Sequence, residues 1–154
     1  MIGRTVDGAK ARGRTVIQGG RAKAYRPLPA VARRRAYDAA LEAYDRGDFF
    51  ETHELLEPAW MGTDDPAERA LHQGLIKLAA AFVHGVRGNP TGIAKNLMGA
   101  REHLAAAVGT PAAAESGLDV AALVAAVDDR LARLAVDPTD ASIGAPALPR
   151  SRPR

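Results

Sequence analysis

Apolar positions recur three and four residues apart along most of the chain, and caps, glycines and prolines cut that recurrence into helical segments. The first is predicted from about Leu28 or Ala30 to Arg46, with Tyr37, Leu41 and Tyr44 at helical spacing and Gly47 as its stop. Asp48 caps a second helix, FFETHELLEPAW, from Phe49 to Trp60, and Glu51 completes a D-x-x-E variant of the capping box. Inside it, Pro58 lacks an N–H, frees the carbonyl of Glu54 and disfavours helical geometry at Glu57, which predicts a bend or a restart. After MGTDDP, a third helix opens with Asp65 as cap, Pro66 at the first helical position and Glu68 three residues past the cap. Leu71, Leu75, Leu78, Ala79 and Phe82 form one stripe along it, and its apolar content makes it the central helix. Asn89 and Pro90 start a fourth helix, with Ile93, Leu97, Ala100, Leu104 and Val108 in register. Thr110 and Pro111 start a short turn that ends at Gly117, and Asp119 caps a last helix with Val120, Leu123, Val127, Leu131 and Leu134 on one side. Short connections between long helices predict an all-α, compact up-and-down bundle of about five helices over 28–136.

Composition agrees with that class and narrows the chemistry. Of 154 residues, 47% are hydrophobic, alanine supplies much of that share, and only three Tyr, three Phe and one Trp are aromatic, as suits close-packed helices rather than sheets. The absence of cysteine excludes disulfides, a thiol nucleophile and thiolate metal sites, so any metal must use His and carboxylate ligands. No apolar run approaches the length of roughly 18 to 20 residues that spans a bilayer, and the first twenty residues lack a signal-peptide core. The expectation is a cytoplasmic protein without membrane contact.

The net charge of +3 divides unevenly. Residues through Arg26 carry a local +6, those from Asp137 onward +1, and the middle therefore −4. Residues 1–27 read as a basic arm, disordered or extended, and 137–154 as a flexible Pro-rich tail. The arm has the charge to meet nucleic-acid phosphates but lacks interleaved aromatics, which leaves nucleic acid as the least favoured partner.

The candidate chemistry sits on the second and third helices. His53 and Glu57 are one turn apart, so they share a face with Phe49, Phe50, Leu56 and Trp60, and Glu54 flanks them. That spacing suits a carboxylate that fixes a histidine tautomer, or a divalent metal ion held by His53, Glu54 and Glu57. It equally suits a buried structural pair beneath Trp60. Gln73, Lys77 and His84 form a polar stripe on the third helix, with small residues such as Gly74 between them. If it faced His53, the cleft would offer His53, Glu57, Lys77 and His84 for catalysis and Trp60 and Gln73 for a bound cofactor; otherwise the stripe is a solvated face. His72 and His103 read as surface residues, and Trp60 as a core anchor. His53-Glu54 is followed by Leu55, Leu56 and Glu57 rather than by a second histidine, so the H-E-x-x-H protease pattern is absent, as are glycine-rich phosphate loops.

The pattern H-x-x-x-E-x-x-W at His53, Glu57 and Trp60 follows Gly47 to Glu51 and precedes Gln73-Gly74-Leu75-Ile76, His84 and Gly88-Asn89. Over roughly Tyr37 to Leu104 this order resembles the bacterial and archaeal family called domain of unknown function 309. The resemblance implies a helical bundle in which the second helix packs on the third, and it brings no established activity, substrate or cofactor. Two functional readings follow: a pocket protein for a small molecule or metal ion, or a non-enzymatic module that docks a protein partner or a second copy of itself.

Overall fold

The computed structural model describes residues 15–18, 21–86 and 89–151, with side chains from Tyr25 onward except those of 84–86. A short antiparallel hairpin, β1 (Thr15–Gln18) and β2 (Arg21–Ala24), pairs Thr15 with Ala24 and Gln18 with Arg21. The rest is helical: α1 (Ala30–Asp45), α2 (Phe49–Met61), α3 (Pro66–Val86), α4 (Pro90–Ala107), the short α5 (Pro111–Glu115) and α6 (Val120–Val136). The bundle is therefore all-α, with five long helices and one short one among the described residues.

Helix starts lie where polar caps stand in the sequence. Asp48 accepts from the amide of Glu51, Asp65 from that of Glu68, Asn89 from that of Gly92, Thr110 from that of Ala113 and Asp119 from that of Ala122. Each satisfies an amide that the first turn leaves without a partner. Pro58 neither ends nor restarts α2, which continues to Met61. The proline sits near the C-terminus, where a single lost hydrogen bond is tolerated, and Gly62 closes the helix.

Helix α3 packs against α2, α4 and α5, while α1 packs on α2 and α4 on α6. The core gathers Tyr37 and Tyr44 from α1, Leu56 and Trp60 from α2, Leu75, Leu78 and Phe82 from α3, Leu97 and Leu104 from α4, and Leu123 and Val127 from α6. Close approach of α3 to α4 depends on Gly74: a Cβ there would lie 2.6 Å from Cγ of Leu104. Ahead of α1 the chain lies across the end of α2, with the amides of Arg26 and Leu28 donating to the carbonyls of Met61 and Gly62.

The C-terminal stretch corrects the expectation of a flexible tail. Ile143 and Leu148 are buried, the Tyr44 hydroxyl donates to the Pro146 carbonyl at 2.7 Å, and Arg150 meets Asp45 at 2.7 Å. Amides of Asp119 and Ser151 donate to the carbonyls of Pro149 and Gly117. A Pro-rich composition masks two apolar anchors and a set of carbonyls that the extended backbone presents for pairing.

Gly74→Ala tests the helix contact. Alanine gains about 1 kcal/mol of helix propensity, but overpacking against Leu104 costs about 1 to 3 kcal/mol. Urea unfolding is expected to show net destabilisation, relieved in part when Leu104 is shortened to valine. A more stable Gly74→Ala protein with an unchanged fold would contradict this packing.

Candidate functional site

Helix α2 turns a different face inward from the one its motif suggests. Thr52, Leu56, Ala59 and Trp60 are buried, whereas Phe50 is 62% exposed. The Thr52 hydroxyl donates to the Asp48 carbonyl at 2.8 Å, which lets a polar residue sit on the apolar side. Counting Phe50 as inward rotates the apparent core face onto His53 and Glu57, and the structure rotates it back. The His53 side chain is 32% exposed, and its Nδ1 lies 3.4 Å from Oε2 of Glu54. Glu57 is half-buried and borders a cleft of about 400 Å³ with Glu54, Arg26 and Leu28. The buried His53–Glu57 pair is not formed, and among the described residues no three His, Asp or Glu side chains gather as a metal site. Trp60 is a core anchor, 1% exposed, with the Arg69 guanidinium 5.7 Å from its ring centroid.

Helix α3 also departs from expectation. Gln73 is buried rather than on a solvated face, and His72 is 3% exposed rather than on the surface. Lys77 is half-buried toward α4, where a Cβ on Gly99 would lie 3.4 Å from its Cδ. Next to it His103 is half-buried; burial holds its pKa below the ordinary value, with Glu102 opposing and Lys77 adding to the shift. The His84 side chain lies outside the described residues, as do residues 1–14 of the basic arm. Lys77 thus reaches toward α4, while the half-buried His53 ring sits beside Glu54.

The polar groups that do converge are on α1 and α3. Arg33 spans to Glu68 with Nε at 2.7 Å from Oε2 and a terminal nitrogen at 3.2 Å from Oε1, while its other terminal nitrogen donates to the Leu28 carbonyl at 2.6 Å. The Thr63 hydroxyl donates to the same Glu68 carboxylate. One turn along each helix, the rings of Tyr37 and His72 stand 5.8 Å apart, and the Tyr37 hydroxyl donates to the Ser116 carbonyl at 2.9 Å. Arg34 lies over the Tyr37 ring at 5.2 Å, pairs with Asp38 at 3.1 Å and donates to the Glu115 carbonyl at 2.8 Å.

Arg33, Arg34, Tyr37, Glu68 and His72 wall a cavity of about 450 Å³ that Asp65 and α5 complete. Its volume lies within the range of small-molecule pockets. Burial pushes the His72 pKa down to about 4, against the attraction of Glu68 and with the help of Arg33. The ring is therefore neutral near pH 7. A hydrogen bond to the Ala59 backbone favours the protonated ring, which identifies the partner as the carbonyl, whereas Nδ1 is buried without a partner. With its single proton given to Ala59 from Nε2, the neutral ring keeps Nδ1 as an acceptor. Burial also raises the Tyr37 pKa to about 12, so its hydroxyl stays protonated.

Arginine and tyrosine four apart on one helix, and glutamate and histidine four apart on another, are the sequence signal of this site. Nothing local places the two pairs opposite each other.

The buried histidine gives stability a pH dependence with a definite sign. Its folded pKa of about 4 lies below the ordinary histidine value of 6.5. Between those values the unfolded chain binds a proton that the folded chain refuses, so stability is complete above the unfolded pKa and declines as pH falls toward the folded one. The contribution is roughly 3 kcal/mol across the window. Urea unfolding at about pH 7 and about pH 5 is expected to show this slope in the wild type and a smaller one in His72→Gln. His53→Ala and Glu57→Ala serve as contrasts, with stability changes within about 0.5 kcal/mol. An undiminished slope in His72→Gln contradicts the assignment.

No curated protein and no solved structure matches the chain. Residues 37–96, from Tyr37 in α1 through α2 and α3 to Asn96 in α4, match the model of the family described as Domain of unknown function (DUF309), so the helical core built from this stretch is similar to that family.

Proposed function

We propose that this protein binds a small molecule in the cavity between α1, α3 and α5. The observation that carries the reading is the wall itself: a buried, neutral histidine with an unpartnered nitrogen, an aromatic ring and a fixed ion pair meet around about 450 Å³ of space. Buried polar groups in a folded core are ordinarily satisfied, and one left open beside a cavity is a feature of binding sites. The site differs from the α2 motif, because none of His53, Glu57 and Trp60 lines this cavity and Trp60 is committed to the core. Among the described residues the exposed large apolar side chains are Val31, Phe50, Met98, Val108 and Val136, and none of them lines this cavity.

The test is a fragment screen by NMR with anionic, neutral and cationic heads. Ligands are expected to shift the resonances of Tyr37, His72 and Ala112 and to compete with one another. Ala112→Trp fills the cavity from α5 and is expected to abolish binding without lowering the melting temperature. Fragments that bind elsewhere, or that bind Ala112→Trp as well as the wild type, would contradict the proposal.

A further inference from the structure

Resting on the cavity as the ligand site, the pattern of committed and uncommitted charges around it points to a small organic cation as its occupant: an ammonium or amidinium head with N–H donors on a compact apolar body.

Two arginines at the wall suggest an anion site until their donors are followed. Arg33 gives two nitrogens to the Glu68 carboxylate and the third to the Leu28 carbonyl, so its charge is matched and each of its three nitrogens already has a partner. Arg34 is paired with Asp38 and directs a terminal nitrogen to the Glu115 carbonyl. An anion at Arg33 would have to break its pair with Glu68 and leave a half-buried carboxylate without its counter-charge, which is strongly unfavourable, whereas at Arg34 it would compete with Asp38 in solvent, where an ion pair is worth little.

The acidic groups are committed less completely. Asp65 caps α3 with one carboxylate oxygen on the Glu68 amide and is otherwise exposed at the cavity mouth. Glu115 contributes its backbone carbonyl to Arg34, while its exposed carboxylate makes no ion pair with a described residue. The lining carries Arg33 and Arg34 against Asp65, Glu68 and Glu115, a net charge of −1, and Asp38 beside Arg34 adds a further carboxylate outside the wall.

An independent observation lies deeper. His72, 3% exposed, forms part of the wall, and its Nδ1 is an acceptor without a protein partner. An N–H donor satisfies it and an anion does not. The atom is closed to water, so its capture requires the ring to turn toward the cavity, whereas the carboxylates at the mouth attract a cation without rearrangement. The Tyr37 ring adds an aromatic face, already used by the Arg34 guanidinium, against which an apolar body can pack.

The test compares three ligands of one shape: benzylammonium, benzyl alcohol and benzoate, titrated into the full chain and followed by chemical shifts of Tyr37 and His72. Benzylammonium is expected to bind about tenfold or more tightly than benzoate at low salt, with the preference shrinking as salt rises. Asp65→Asn with Glu115→Gln keeps the cap and the side-chain shapes, and is expected to remove the charge preference while benzyl alcohol affinity is unchanged. A shift of the His72 Nδ1 resonance on benzylammonium binding is expected as well. Equal or tighter binding of benzoate overturns the cation assignment and leaves the cavity reading intact. The same holds if none of the three binds while fragments of another class occupy the cavity. If no fragment of any class binds there, the cavity reading itself has failed.

Discussion

Helix α3 has no solvent side through its middle, and the rest of the structure is arranged around that constraint. Every residue from Leu71 to Ile76 is buried, with α2, α4 and α5 packed around the helix. A helix enclosed on all sides cannot send its polar residues to water. Gly74 lets α4 approach on one side, and His72 on another gives up its charge, because the energy of an isolated buried imidazolium exceeds what Glu68 returns through the neighbouring Arg33–Glu68 pair.

That ion pair fixes the geometry of the cavity. Arg33 and Glu68 are each about one fifth exposed at the side chain, sheltered enough for their interaction to exceed that of a surface pair. The pair ties α1 to the first turn of α3, and the Leu28 carbonyl ties Arg33 to the segment that lies across the end of α2. Tyr37 and His72, one turn further along the same two helices, are thereby held beside each other with their rings tilted at 39°, while α5 and its C-cap Ser116 supply the remaining wall and the carbonyl for the tyrosine hydroxyl. The site thus draws on residues well separated in sequence, brought together by one electrostatic clamp and the burial of one helix.

Much of the fold was legible because it is written in local chemistry. Asp48, Asp65, Asn89, Thr110 and Asp119 each announce a helix start, and each side chain accepts the expected amide. The candidate site was less legible for reasons of rotation and context. On α2, one phenylalanine assigned to the wrong side moved the apparent core face onto His53 and Glu57, while Thr52 entered the core by bonding its hydroxyl to its own helix. On α3, an amphipathic reading assigned His72 to the surface and Gln73 to a solvated stripe, because periodicity cannot reveal that neighbours cover every side. The C-terminal stretch shows the same limit: Ile143 and Leu148 are too sparse to register as an element, yet the Tyr44 and Asp45 groups they dock beside give them a place.

The central claim is that α3 holds a neutral histidine at the wall of a cavity. Its most direct test is the nitrogen NMR spectrum of the His72 ring across the range from about pH 4 to about pH 8. The account predicts two distinct nitrogen resonances, with the proton on Nε2 and Nδ1 bare, unchanged until the pH approaches the low value of about 4. A ring that titrates near the ordinary histidine value of 6.5, with both nitrogens protonated below it, would place His72 in contact with water and contradict the burial on which the cavity depends.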